Sequence, residues 1–121
     1  MKLPGPDHPI TIRPAAGHVR VTFAGQVVAD TKRALVLQEA AYKPVFYIPR
    51  EDAQVALLEK TTNATQCPYK GDASYYSIKV GDRTAENAIW SYETPFPAMK
   101  EIEGHLAFYP NRVDAIEVDP K

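Results

Sequence analysis

Residues 74–80 read SYYSIKV, residues 81–82 read GD and residues 83–92 read RTAENAIWSY, and this stretch decides how the chain folds. Two runs rich in aromatic and β-branched residues, joined by a short turn that contains glycine, are typical of a β-hairpin. Because side chains alternate along a strand, Tyr76, Ile78 and Val80 share one face, which we expect to enter the core. The stretch therefore predicts antiparallel β-structure.

Further short strands are predicted on both sides of the hairpin. Residues 18–23 alternate with period two, which places Val19, Val21 and Phe23 on one face of a strand. The other runs of aliphatic, β-branched or aromatic residues lie at 26–30, 34–37, 45–48, 105–109 and 113–118. Turn residues separate them at short intervals, as in sandwiches and barrels.

Two short helices complete the predicted fold. One begins after Pro49 and ends near Lys60, and the other begins at Pro97 and ends at Gly104. The predicted fold class is mainly β, a compact single domain of short antiparallel strands with two short helices. A sandwich, an open barrel and a folded pair of sheets remain alternatives. Residues 1–17 are predicted as an irregular N-terminal arm and residues 18–121 as the single mainly β domain.

Composition and charge exclude several classes of protein. The chain has 121 residues, 45% of them hydrophobic and 24% charged, which suits one globular domain. A formal net charge of -1 offers no positive field for a nucleic acid or a membrane surface, so neither is an expected partner. No apolar run is long enough for a membrane helix, and no signal peptide is recognised. The single cysteine favours a reducing compartment, so the sequence predicts a cytoplasmic protein.

No cofactor and no metal site are predicted. The single cysteine, Cys67, and the three histidines, His8, His18 and His105, have none of the spacings of a zinc site. Carboxylates are plentiful, and two of them brought together could supply a general base. The sequence does not pair them; the candidates are Glu39, Glu51, Asp52, Asp72 and Glu86.

The first candidate site segment is the predicted tight loop at residues 67–72 (CPYKGD). Lys70 could lower the pKa of the Cys67 thiol and make Cys67 a nucleophile, although a lone cysteine is more often a packed apolar residue. Lys70 with Gly71 could instead hold a phosphate or carboxylate, because glycine lets backbone N–H groups approach an anion. A surface turn is the plain alternative, and the spacing of a nucleotide-binding P-loop is absent.

The second candidate segment is the predicted strand at residues 86–92 (ENAIWSY). Strand alternation places Glu86, Trp90 and Tyr92 on one face and Asn87 on the other. A carboxylate among aromatic rings is typical of small-molecule pockets, although a core tryptophan with polar neighbours is an equal alternative. Tyrosines could likewise form a ligand wall or a polar core network; they are Tyr42, Tyr47, Tyr69, Tyr75, Tyr76, Tyr92 and Tyr109.

Residues 67–76 (CPYKGDASYY) and 85–92 (AENAIWSY) resemble the bacterial and fungal domain-of-unknown-function family 427. The resemblance extends to residues 19–21, 33–35, 46–52, 107–109 and 113–114 and covers about a hundred residues. The family is labelled a nucleotidyltransferase, but its activity is not established, and its members look like compact, mainly β proteins. Paired carboxylates holding Mg²⁺ beside a phosphate cradle, which that label requires, are not recognisable here. The resemblance marks as motif positions Cys67, Tyr69, Lys70, Gly71, Glu86, Asn87, Trp90, Ser91 and Tyr92.

Three hypotheses about function follow from these segments. The first is a domain that binds a small anionic or polar metabolite between the loop 67–72 and the strand 86–92. Lys70 would hold the anion, Trp90 and Tyr92 would stack, and Glu86 or Asn87 would orient polar atoms. The second is a small transferase or hydrolase using Cys67 or Glu86, so whether the protein is an enzyme stays open. The third is an interaction module or homodimer whose exposed aromatics form the interface.

Overall fold

The computed structural model describes residues 1–119 and shows a mainly β domain, as the sequence predicts; positions 120 and 121 of the predicted domain lie outside the described residues. The strands are β1 (Ile10–Pro14), β2 (His18–Phe23), β3 (Gln26–Thr31), β4 (Leu35–Glu39), β5 (Val45–Tyr47), β6 (Leu58–Cys67), β7 (Gly71–Val80), β8 (Arg83–Ser91), β9 (Ala107–Phe108) and β10 (Ala115–Asp119). They form three antiparallel sheets, ordered β1-β4-β5, β10-β2-β3 and β6-β7-β8-β9.

Strand β7 of the four-stranded sheet is buried on both faces. In β7, Tyr76 packs into a first cluster of buried side chains and Tyr75 into a second. The first cluster is shared with β2 and β3 and contains Val19 and Val21, neither of which is exposed at all. The second cluster is shared with β4 and β5. Residues 75–78 of β7 (YYSI) are all buried, so side chains on both faces of this part of the strand are in the core.

Two β-bulges face each other across β7. In β8, the pairing shifts between Tyr76 opposite Ile89 and Ile78 opposite Ala85, so β8 has two more residues than β7 there. The residue Asn87 in this bulge has a positive φ of 49°. In β6, the pairing shifts in the same way between Lys60 and Ala64. Bulges bend a strand and increase its twist, so both flanking strands bend where they pass the middle of β7.

The bulged residues also bond to each other across β7. Thr61 Oγ1 of β6 donates to Asn87 Oδ1 of β8 at 2.6 Å, and the Asn87 backbone N–H donates to Ser77 Oγ at 3.0 Å. Asparagine is among the few residues that adopt a positive φ at modest cost, since its short polar side chain bonds locally. The bulges are therefore held by specific side chains.

The predicted helices are shorter than the sequence suggests. The first is divided into two single turns of 3-10 helix, Arg50–Asp52 and Val55–Leu57, because Ala53 between them pairs with Ala29 of β3. Leu58 already begins β6, so the predicted end near Lys60 is wrong. The second, Pro97–Ile102, is also 3-10 helical, and Met99 and Ile102 are buried.

Part of the predicted irregular arm is a strand. β1 pairs with β4, with Ile12 opposite Leu37, and Ile10 and Ile12 pack against the second cluster. The prediction that residues 1–17 are irregular is therefore wrong for β1. Prolines stand beside these isoleucines and do not interrupt the pairing, as expected for a strand at a sheet edge. Within residues 1–119, no helix is long and apolar enough to cross a membrane.

Candidate functional site

An aromatic hollow opens within the second cluster and has a volume of about 220 Å³. The rings in its wall are those of Tyr42, Tyr47, Tyr75, Trp90, Tyr92 and Tyr109. Leu37 and Val45 are aliphatic parts of the wall, and Glu39, Lys43 and Lys70 are its charged parts. Strands from two sheets therefore supply the hollow, and its charges come from β4, from the segment after it, and from the turn between β6 and β7.

A buried ion pair lies in this hollow. The side chain of Lys70 is only 8% exposed, and its ammonium donates a hydrogen bond to Glu39 Oε1. The other carboxylate oxygen, Oε2, lies 2.7 Å from His8 Nε2. Burial alone would raise the pKa of Glu39, but the hydrogen bonds from Lys70 and His8 outweigh burial and place the pKa below its usual value. Glu39 is therefore a carboxylate whose two oxygens both have partners.

Local backbone geometry fixes the position of Lys70. Gly71 has a φ of 113°, which side-chain-bearing residues rarely adopt, and a Cβ placed there would lie 3.5 Å from the Phe96 nitrogen. The Lys70 carbonyl accepts a hydrogen bond from that same Phe96 N–H at 3.0 Å. The Lys70 ammonium lies 5.9 Å from the centroid of the Tyr92 ring, within the range of a cation–π contact. The turn therefore directs the lysine inward.

The aromatic wall is ordered by contacts among its own side chains. Trp90 Nε1 donates to the Tyr47 hydroxyl at 3.2 Å, and the two rings meet edge to face. The Trp90 and Tyr109 centroids lie 4.4 Å apart. The Tyr75 hydroxyl lies 2.9 Å from Thr65 Oγ1 and 3.4 Å from the Tyr109 hydroxyl. Such contacts fix ring orientation, so the wall is largely formed before any molecule enters.

The phenols of Tyr47, Tyr92 and Tyr109 remain protonated at neutral pH. Burial is the main cause that raises the pKa of Tyr47 and of Tyr92 far above the usual value. Burial together with the hydrogen bond to Tyr75 raises the pKa of Tyr109 to about 12. Tyr92 is only 6% exposed, and none of residues 1–119 makes a hydrogen bond to its hydroxyl. Every buried side-chain nitrogen or oxygen of the described residues has a partner, so the Tyr92 hydroxyl is open to the hollow and can bond to a molecule there.

Some of the predicted site residues lie together in the hollow. Lys70, Trp90 and Tyr92 all line it. Tyr69 lies next to it, where its ring stacks on His8 at 4.1 Å between centroids. Neither Gly71 nor Cys67 lines the hollow: Gly71 shapes the turn that carries Lys70, and the half-buried Cys67 packs against the second cluster.

Glu86 and Asn87 lie elsewhere, contrary to the expectation that they border the same pocket. They line a separate open, polar depression with Thr61 and Ser77. The two additional residues of β8 fall between Ala85 and Ile89 and separate Glu86 from the aromatic end of the strand. Regular alternation could not reveal this bulge. The acid beside Lys70 is Glu39.

Sequence reasoning did not find Glu39 as the partner of Lys70, or His8 as the partner of Glu39. Glu39 was only one of several candidate carboxylates, and His8 belonged to an arm predicted to be irregular. Glu39 lies 31 positions from Lys70 in the sequence, and His8 lies 31 positions from Glu39. A usable signal was that Glu39 ends strand β4 shortly after the buried residues Val36 and Leu37, where a carboxylate needs a partner if buried.

A second charged cluster lies around Glu93. Its carboxylate accepts from Lys60 at 2.8 Å, from the Tyr76 hydroxyl at 2.5 Å and from Arg50 at 3.1 Å. Arg50 also donates to the Gly104 carbonyl. Burial alone would raise the pKa of Glu93, but hydrogen bonds from Lys60, Tyr76 and Ser74 lower it to about 2. These groups satisfy one another and join distant parts of the chain, which is a structural role.

Comparison with known proteins identifies the family but no activity. Within residues 1–119, no three His, Cys, Asp or Glu side chains are placed to hold a metal ion together. No curated protein matches the chain. A family model matches residues 11–119, which include the aromatic hollow and both bulges. The chain therefore belongs to the family described as a domain of unknown function, DUF427.

Proposed function

We propose that the protein binds a small anionic or polar metabolite in the aromatic hollow. The observation that carries this proposal is the state of the Lys70 ammonium. It has three N–H donors, is almost completely buried, and has one hydrogen-bond acceptor among residues 1–119, Glu39. Buried donors normally have partners, so the remaining N–H groups favour a bound molecule with acceptor oxygens.

The wall of the hollow supports the same proposal. Small-molecule sites are concave, mostly apolar and aromatic, and contain a few placed polar groups. Here the rings form most of the wall, and the Tyr92 hydroxyl adds a second donor without a partner among the described residues. Neither Cys67 nor Glu86 lines the hollow, which favours binding over catalysis by those residues. We place this binding in the cytoplasm, because a single free cysteine suits a reducing compartment.

Calorimetry with acetate, pyruvate, benzoate and inorganic phosphate tests the proposal. We expect saturable binding of at least one anion, at least tenfold weaker in Lys70→Met and in Trp90→Leu. Glu86→Gln is the matched control and should bind as the parent protein does, because Glu86 lies in the separate depression. Circular dichroism of each variant verifies the fold. Binding that is unchanged in both Lys70→Met and Trp90→Leu would contradict the proposal.

A further inference from the structure

The unused hydrogen-bonding groups of the hollow are mainly donors. Lys70 has N–H groups without an acceptor, and the Tyr92 hydroxyl has no partner among residues 1–119. The Tyr47 hydroxyl accepts from Trp90, and in the described part of the chain its own hydrogen meets no acceptor. Glu39, the carboxylate of the hollow, already uses both oxygens. The bound molecule must therefore bring acceptors, as a deprotonated acid does.

The charges of the hollow favour one negative charge and no more. Glu39 neutralises Lys70, which leaves Lys43 in the wall as the remaining positive charge apart from a protonated His8. An oxygen bound by Lys70 lies close to the Glu39 carboxylate, and like charges at short range repel strongly where water is scarce. A dianionic phosphate ester would meet more of this repulsion than a carboxylate would. The arrangement favours a monoanionic carboxylate.

The aromatic part of the wall favours a ligand whose carboxylate is attached to a flat group. Trp90 and Tyr109 are in direct ring contact, and Tyr75 lies nearly parallel to Tyr109, with an angle of 11° between the rings. Aromatic rings interact best with other π-systems in stacked or edge-on arrangements, and this preference adds to simple burial. The volume of about 220 Å³ restricts the molecule to a small one.

We infer that the ligand class is a small, flat, conjugated carboxylic acid, bound with its carboxylate at Lys70 and Tyr92 and its ring against Trp90. This inference rests on the proposed function and narrows it. It also separates roles for two residues: Lys70 provides affinity for the anion, and Trp90 discriminates flat molecules from puckered ones of equal charge.

The test uses the protein's own fluorescence, since Trp90 is its single tryptophan and lines the hollow. Benzoate, cyclohexanecarboxylate, benzamide and phenyl phosphate are titrated to about 10 mM, because molecules of this size bind in the micromolar to millimolar range. Calorimetry confirms each affinity. We expect benzoate to bind at least tenfold more tightly than each of the other three molecules.

Two variants test the placement of the carboxylate. Tyr92→Phe removes the hydroxyl and keeps the ring, and should weaken benzoate several-fold. Tyr69→Phe is its matched control, because Tyr69 lies outside the hollow, and should leave the affinity unchanged. An affinity for benzoate that Tyr92→Phe leaves intact would overturn the role of Tyr92.

The possible results distinguish a failure of this inference from a failure of the proposed function. Cyclohexanecarboxylate binding as tightly as benzoate would overturn the flat ligand and leave anion binding standing. Phenyl phosphate binding more tightly than benzoate would overturn the carboxylate. If pyruvate or phosphate binds through Lys70 while benzoate does not, this inference fails and the proposed function holds. If no anion binds, both fail.

Discussion

The ionisation of Glu93 makes stability depend on pH. Its pKa is about 2 in the folded protein, below the ordinary value of 4.5. As the pH falls, the unfolded chain therefore takes up this proton before the folded protein does. The contribution of Glu93 to the free energy of unfolding is complete above pH 4.5 and is lost as the pH falls towards 2.

We expect Glu93→Gln to lower the free energy of unfolding at neutral pH by about 2 kcal/mol, a typical value for hydrogen bonds to a charged group. The variant should also lose less stability than the parent between pH 5 and pH 3. Urea unfolding across this pH range measures both effects. Glu59→Gln is the control: its 3.2 Å pair with Lys79 is exposed and contributes little. An equal pH dependence in parent and Glu93→Gln would contradict the expectation.

The Lys70–Glu39 pair should show strong coupling. Lys70→Met alone leaves a partly buried carboxylate without its lysine, at an expected cost of about 2–3 kcal/mol. Glu39→Gln alone leaves a buried ammonium without its carboxylate. The double variant should cost clearly less than the two single costs added, because it leaves neither charge behind. Urea unfolding of the four proteins measures the coupling, and additive costs would show that the pair does not act as a unit.

The two glycines at the ends of β7 should differ in the free energy of unfolding that is lost when each is replaced. Gly71 has a φ of 113° and close backbone neighbours, whereas Gly81 has a φ of 57° and nothing near its missing Cβ. We expect Gly71→Ala to cost about 2 kcal/mol or more and Gly81→Ala about 1 kcal/mol. Thermal unfolding of the two variants measures both costs. Equal costs would show that the turn before β7 tolerates a side chain.

Local sequence predicted the strands that alternate or are rich in apolar and β-branched residues, and it missed β1 and β6. Strand β2 and the hairpin of β7 and β8 alternate clearly and were predicted correctly. β6 is mostly exposed, and its residues 61–65 (TTNAT) carry turn-forming and polar side chains because one part of it is a bulge. Its pairing with β7 therefore decides that it is a strand, and pairing is not visible in a local window.

At the scale of the whole molecule, the hollow required information that local patterns do not contain. Lys70 was predicted as the cation beside Gly71 in the loop 67–72, and Trp90 and Tyr92 as aromatic side chains on one face of the strand 86–92. Glu39 comes from another sheet, and the arm that carries His8 is fixed by long-range contacts, among them Lys2 N–H to the Pro68 carbonyl at 2.7 Å. Sequence could propose the loop and the strand, but only the tertiary fold supplies their partners.

The shared central sheet predicts one cooperative unfolding transition. Ile78 lies in the first cluster and Ile102 in the second, and both are fully buried. We expect Ile78→Val and Ile102→Val each to cost about 1 kcal/mol. Each should shift the transition equally whether Trp90 fluorescence or far-ultraviolet circular dichroism is recorded. Transitions that separate between the two probes would show that the clusters unfold independently.

The size of the β8 bulge has a consequence for how the length of this chain can change. The bulge adds two residues to β8, so buried and exposed side chains alternate in the same phase before and after it. Ala85 and Ile89 therefore both point into the first cluster. Removing one residue between Ala85 and Ile89 would turn Ala85 towards solvent and bring its charged neighbour Glu86 into the core. Removing two would restore an unbroken ladder. Length variation in this strand should therefore be tolerated in even steps and rejected in odd ones.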